Sequence, residues 1–304
     1  METLLDPFNY AFFIKGLFVA TLAGGLCGLI GVYITLRGMS YIGHGLSHAI
    51  FGGFAASSII GINYFLGAGI WGLASALAIN KVSRSRRIGA DAVIGVITTA
   101  SFALGVALLT HFGSTGPTFD AALFGSIIGI SAGDIWALVA VTVFTVVVVL
   151  INYRALLFAT FDPEVADVSG VRVARTDALL MLVLSLAILA TLTVIGVTLV
   201  AATLIIPAVV ARMLTARFSR MLWLSSLIGA CCGFIGMNLS YHLDVPSGTM
   251  IVLTGATLFG VVLFLTGGRR LGRRRLGRVS PKRRLGRVMP NGADITTRIG
   301  DTPV

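Results

Sequence analysis

Between residues 11 and 267 nine apolar runs follow one another, at 11–36, 45–62, 64–80, 92–111, 134–152, 176–194, 195–214, 221–240 and 248–267, none with more than one Asp, Glu, Lys or Arg. A helix needs about 20 such residues to cross the hydrocarbon core of a bilayer. Runs of that length, with gaps too short for a soluble catalytic domain, predict an all-α, polytopic membrane bundle in which every backbone group is paired within its own helix. The stretch 119–132 is apolar but short and rich in Gly and Ser. It is expected to be re-entrant or broken, and covered by protein or a water-filled cavity. Eight to ten spans are expected, with nine as the central count.

Charge supports this reading. A soluble domain carries about 25% charged residues; this chain of 304 residues carries 12%, with 56% hydrophobic, which excludes an ordinary globular enzyme and a disordered chain alike. The net charge of +11 is unevenly placed: residues 269–304 hold 11 Lys and Arg against two acids, and the rest holds 12 basic and 10 acidic side chains. The expected organisation is a transmembrane domain over 1–268 and a basic, disordered cytoplasmic tail over 269–304. No nucleic-acid partner is expected. The tail repeats RRLGR at 269–273, 274–278 and 283–287. Such a segment is expected to be a solvated charge run that enforces topology; the alternative is attraction to anionic lipid, at about 1 kcal/mol per basic residue near the surface.

Three more basic clusters lie between runs: Lys81 with Arg84, Arg86 and Arg87; Arg154 with Arg172 and Arg175; and Arg212 with Arg217 and Arg220. The alternate connections near 63–64, 112–120 and 241–247 have no Lys or Arg. The positive-inside rule then places all three clusters and the C-terminus in the cytoplasm. The side of the N-terminus depends on the span count. Glu2 and Asp6 precede the first run without a basic stretch, so that run is expected to be retained rather than cleaved.

The chain contains no G-x-x-x-x-G-K-[ST] loop, so any ATP must be bound by another subunit. Its 37 glycines suit close helix packing, as at Gly24-x3-Gly28 and Gly229-x3-Gly233. Cys27, Cys231 and Cys232 lie inside apolar runs and read as buried small residues rather than disulfide or zinc partners.

The chemistry concentrates at residues 39–55, MSYIGHGLSHAIFGGFA. His44 and His48, four apart, share one helical face, with Tyr41 one turn earlier. Imidazole inside a membrane segment is costly and faces a cavity or the bundle interior. Two neutral imidazoles at this spacing can chelate one divalent transition metal; histidines bonded to backbone or Ser/Thr groups in helix packing are the plainer alternative. A metalloprotease would need H-E-x-x-H, and here Gly45 occupies the place of the general base. Asp91 and Asp134 read as helix caps, His111, His242 and Asp244 as interfacial or solvated, and Thr191, Thr193, Thr198 and Thr203 as back-bonding within helices.

The one connection with character is 153–175. Asp162-Pro163-Glu164 opens a short helix, with proline early and acids at the positive end of its dipole, and Gly170 closes it.

Together these stretches resemble the membrane permease of bacterial ABC importers for manganese, zinc and iron, over nearly all of residues 10–267. The similarity is carried, in the family's order, by GVYITLRGMSYIGHGLSHAIFGG (31–53), DAVIGVITTASFALGVALL (91–109), LFGSIIGIS (123–131), FDPEVADVSGV (161–171) and IIPAVVARML (205–214). The resemblance implies a fold like the cobalamin-type importers and a permease paired with a second copy or a paralogue in the inner membrane. It also implies cytoplasmic ATPase subunits and an extracytoplasmic metal-binding protein. It makes 161–170 the coupling helix, with Asp162, Pro163 and Glu164 meeting the ATPase. It makes the Gly-x-x-x-Ser-His segment a metal gate, with Tyr41 beside it. In that gate an Asp commonly precedes the His by four residues; here His44 stands there. Imidazole suits zinc, whereas manganese prefers carboxylate and water, so zinc is expected ahead of manganese.

The expected function is thus a permease subunit that moves Zn2+ or Mn2+ inward by alternating access, has no enzymatic site or permanent cofactor of its own, and releases the ion from a transient His44–His48 site. Two rivals are an ABC permease for a chelate such as haem or a siderophore and an ion-coupled secondary transporter; a membrane scaffold acting through its tail is a third.

Overall fold

A computed structural model describes residues 6–83, 90–112, 123, 125 and 130–276. After a 3-10 turn at Asp6–Asn9, the described residues form eleven helices: α1 Ala11–Leu36, α2 Ser40–Ile60, α3 Tyr64–Ser83, α4 Ala90–Phe112, α5 Ala132–Ile151, α6 Tyr153–Phe161, α7 Pro163–Val168, α8 Val173–Ile195, α9 Val200–Leu214, α10 Phe218–Leu243 and α11 Ser247–Leu276. No strand occurs among the described residues. Residues up to Phe264 form one compact unit; in a second, from Leu265, α11 continues to Leu276.

Seven of these helices are long and apolar enough to cross a membrane. The two remaining expected spans differ for separate reasons. In the run 195–214 the helix begins only at Val200, because Gly196 at φ 84 and ψ 154 breaks the chain, leaving the 15 residues of α9. α2 has 21 residues, but its four glycines, four serines and two histidines make it too polar to qualify. It tolerates that composition because most of it is covered by protein.

The core is built on glycine contacts. α1 and α10 cross so closely that a Cβ on Gly24 would strike the Gly229 carbonyl, one on Gly28 the Ser225 carbonyl, and one on Gly233 the Ala20 carbonyl. The two small-residue motifs expected from the sequence therefore meet each other. Ser225 Oγ donates to the Gly28 carbonyl (2.6 Å) and Ser226 Oγ to that of Gly25 (2.9 Å), adding interhelical bonds where no hydrophobic force distinguishes helix from lipid. Cys27 and Cys232 are buried as expected; Cys231, one residue round the helix, is exposed.

Each end of the bundle has its own aromatic cluster. At one end Phe218 touches Tyr33, Tyr153 and Phe161, with ring centroids 5.4–5.8 Å apart. This gathers the end of α1, α6 and the start of α10 near Arg154, Arg217 and Arg220. At the other, Phe13 and Tyr10 pack on Tyr241.

The segment expected to be re-entrant lies mostly outside the described residues. Its Leu123 carbonyl accepts from both the backbone N–H (3.3 Å) and Oγ1 (2.8 Å) of Thr198. The turn at Thr198, between α8 and α9, thus satisfies its donors on a segment distant in the chain, as irregular backbone at membrane depth requires. Thr198 therefore does not back-bond within its own helix, whereas Thr191 and Thr203 do; the side chain of Thr193 lies outside the described residues. Asp134 closes a capping box with Ser131. Asp244 ends α10 in the left-handed conformation and is exposed. The side chain of Asp91 lies outside the described residues.

Candidate functional site

α2 starts without slack. Arg37 caps α1; the N–H of Gly38 bonds the Thr35 carbonyl (3.3 Å) and that of Met39 the Ile34 carbonyl (3.1 Å), with Gly38 at φ 69. This is a Schellman closure, and the next helix begins at Ser40. Glycines then seat α2 among its neighbours: Gly43 lies against Leu204 of α9, Gly45 against Ile94 and Thr98 of α4, Gly52 against the Ser101 backbone of α4, and Gly53 against Trp71 of α3.

Near its start α2 leaves one stripe uncovered. Tyr41 is 67% exposed, His44 is exposed and His48 half-buried. The rings follow one another: Tyr41 to His44 at 6.4 Å, His44 to His48 at 4.5 Å and His48 to Phe102 of α4 at 4.6 Å. Metal–nitrogen bonds of about 2.0–2.1 Å put the centroids of two chelating imidazoles roughly 4.5–5 Å apart; the histidine pair has that centroid separation, with the rings edge to face at 80°. His48 Nδ1 is buried and has no hydrogen-bond partner among the described residues. A buried polar atom left unpaired costs about 1–3 kcal/mol, which a bound ion would relieve. Ser47 bonds the His44 carbonyl (2.8 Å) and takes no part in the stripe.

Phe102 is a contact that the sequence did not single out. It fixes the His48 ring edge-on and also packs on Phe51. Its position one turn beyond Thr98, which also faces α2, was the available signal. Among the described residues no three His, Cys, Asp or Glu side chains come together.

The second candidate surface is narrower than residues 161–170. Phe161 ends α6, and Asp162 is extended at φ −150 and ψ 92, as a residue before proline favours. Its carboxylate caps α7, accepting from the N–H groups of Glu164 (3.2 Å) and Val165 (3.0 Å). Pro163 holds the first helical position. A second Schellman closure follows: Gly170, at φ 82, bonds the Asp167 carbonyl and Val171 that of Ala166, both at 3.0 Å. Only Ala166 of α7 is buried; Glu164 is exposed, Val165 is 50% exposed and Val168 92%. Replacing Asp162 by alanine is expected to cost α7 about 1 kcal/mol of capping. Faster amide hydrogen exchange confined to 163–170 would register it, and unchanged exchange would show the cap to be idle.

The stripe on α2 and the protruding, doubly capped α7 belong to one bundle of membrane-spanning helices, and the chain matches the ABC 3 transport family over residues 9–266. It is a member of that family. It is 39% identical over 258 residues to the manganese transport system membrane protein MntC of Halalkalibacterium halodurans, covering 85% of this chain and 88% of that one. It is 32% identical to the chelated iron transport system membrane protein YfeC of Yersinia pestis, covering 85% and 88%. The structure of PsaBC from Streptococcus pneumoniae in complex with Fab superposes with a TM-score of 0.80 at 30% identity, covering 90% of this chain and 99% of that one.

Proposed function

We propose that this chain is the permease subunit of an ATP-driven importer of divalent transition metal, with manganese as its first cargo. The carrying observation is the His44–His48 pair: two imidazoles at chelating separation, one with an orphaned nitrogen, on the uncovered stripe of α2. Relatives named for manganese transport support the cargo and move the first choice from zinc to manganese. His44 keeps zinc as the competing ion, because imidazole serves zinc well.

Two chains placed with these stripes facing would bring four imidazoles around one ion. To conduct, such a site must release its ion as well as hold it. ATP is bound and hydrolysed by separate cytoplasmic subunits that seat on α7, through Asp162, Pro163 and Glu164. An extracytoplasmic binding protein delivers the ion at the opposite end. That orientation puts the cluster around Phe218, its neighbouring arginines and the C-terminus in the cytoplasm, following the basic residues. In this reading the permease body runs to residue 268 and the basic cytoplasmic tail from 269, although α11 continues as a helix to Leu276.

The test is radiolabelled manganese uptake by cells expressing the complete importer, with excess unlabelled zinc or a ferric chelate as competitor. Uptake that needs ATP and resists the chelate is the expected result. Competition by zinc, together with uptake of labelled zinc in its place, would make zinc the cargo. Uptake of the chelate itself would favour the reading suggested by the iron-transport relative. Manganese uptake that persists without the ATPase would replace this proposal with a secondary transporter.

A further inference from the structure

We propose that Arg37 is a positioning residue that carries the displacement of α7 to the histidine stripe of α2. The inference rests on the import reading above, which requires a driven surface on α7 and a cargo site on α2. Arg37 Nη1 pairs with Asp177 Oδ1 of α8 at 2.6 Å, and its Nε donates to Thr160 Oγ1 of α6 at 3.2 Å. The Arg37 and Asp177 side chains are only 9% and 17% exposed.

The two partners bracket α7 in the chain. Thr160 lies just before its cap, Asp162, and Asp177 lies just beyond the connection that follows Gly170. α7 itself has a single buried residue, Ala166, so movement imposed on it reaches the bundle chiefly through its flanks, and both flanks hold Arg37. On the other side Arg37 is the cap residue of α1. The Schellman closure at Gly38 and the bond from Ile42 N–H to the Met39 carbonyl (3.0 Å) join it directly to α2. His44 and His48 follow in the first turns of that helix.

A buried ion pair is a poor way to gain stability, because desolvation offsets the attraction; its best-attested use is to specify an arrangement. This one is also incompletely satisfied. Arg37 Nη2 is buried and has no hydrogen-bond partner among the described residues. The guanidinium is thus tied to α6 through Nε and to α8 through Nη1, with Nη2 left over, while its backbone runs directly into α2.

The test uses the complete importer, with its ATPase and binding protein, in proteoliposomes. Manganese uptake and ATP hydrolysis are measured together for wild type, Arg37→Lys, Arg37→Gln, Asp177→Asn and the double variant Arg37→Gln/Asp177→Asn. The expected result is a loss of about tenfold in manganese moved per ATP for Arg37→Gln and Asp177→Asn, with hydrolysis within about twofold of wild type. Arg37→Lys, which keeps the charge, should recover most of the ratio, and the double variant should be no worse than either single one. An equal fall in uptake and hydrolysis would mark a merely structural pair and overturn the proposal, as would an unchanged ratio.

A cargo-independent readout accompanies these: an environment-sensitive fluorophore at Ile60→Cys, at the exposed far end of α2, in a Cys231→Ser background. ATP with vanadate should shift its emission when Arg37 is present and not in Arg37→Gln; a shift retained in Arg37→Gln overturns the linkage. If wild type shows the shift but moves no manganese, the import reading fails, while the linkage is still decided by the fluorescence.

Discussion

Replacing His48 by alanine is expected to abolish manganese uptake by the assembled importer, by at least about 100-fold, since changes in groups that merely support a metal ligand already cost 10–100-fold. His44→Ala should cost less, because that ring is exposed and water can take its place. The separation between the two is the informative part. His48 is packed between His44 and Phe102 with its Nδ1 buried and unpartnered, so its loss removes the ligand with the least freedom. Uptake measured at saturating and limiting manganese distinguishes the outcomes. A pure rise in half-saturating concentration for His44→Ala, beside complete loss for His48→Ala, fits the proposed site. Full uptake without His48 would move the cargo site elsewhere in the pathway.

The second large effect is structural. A Gly229→Val permease is expected to lose about 3 kcal/mol of stability or more, the upper end for overpacking. A side chain at Gly229 would meet the Gly24 carbonyl, and backbone cannot rotate aside as a flexible side chain can. Gly95, whose Cβ would meet nothing within 4 Å, supplies the control: Gly95→Ala should leave the melting temperature unchanged or raised, alanine being the better helix former. Equal thermal unfolding of detergent-solubilised Gly229→Val and wild type would show that the α1–α10 crossing is looser than described.

The contrast between these two sites follows what the sequence makes legible. Spans α1, α3–α5, α8, α10 and α11 are written as apolar length, and their glycine motifs as spacing, so both are readable from one chain. α9 is shorter than its run because a single φ-positive glycine, Gly196, stops the helix inside an apolar stretch where composition does not change. The caps of α7 were readable for the same reason as the spans: Asp, Pro and Gly have strong local preferences that need no tertiary context. The histidine pair was visible by its spacing. Its support by Phe102, and the bonds of Arg37 to Thr160 and Asp177, join residues far apart in the chain, which periodicity does not encode. Cys231 shows the same limit. Neighbouring Cys231 and Cys232 look alike in an apolar run, but a helix turns about 100° per residue, and only the packing of α10 decides which one faces inward.

The polarity of α2 bears on how the protein reaches its membrane. With ten glycines, serines and histidines among 21 residues, this helix is a poor candidate to partition into lipid as an isolated segment. Its apolar neighbour α3 follows after the turn at Gly61, and α4 supplies the surface on which Gly45 and Gly52 rest. Stable seating of α2 in the membrane is thus expected to depend on partners synthesised after it. The helix that carries the histidines is also the one whose topology depends most on the rest of the chain being made.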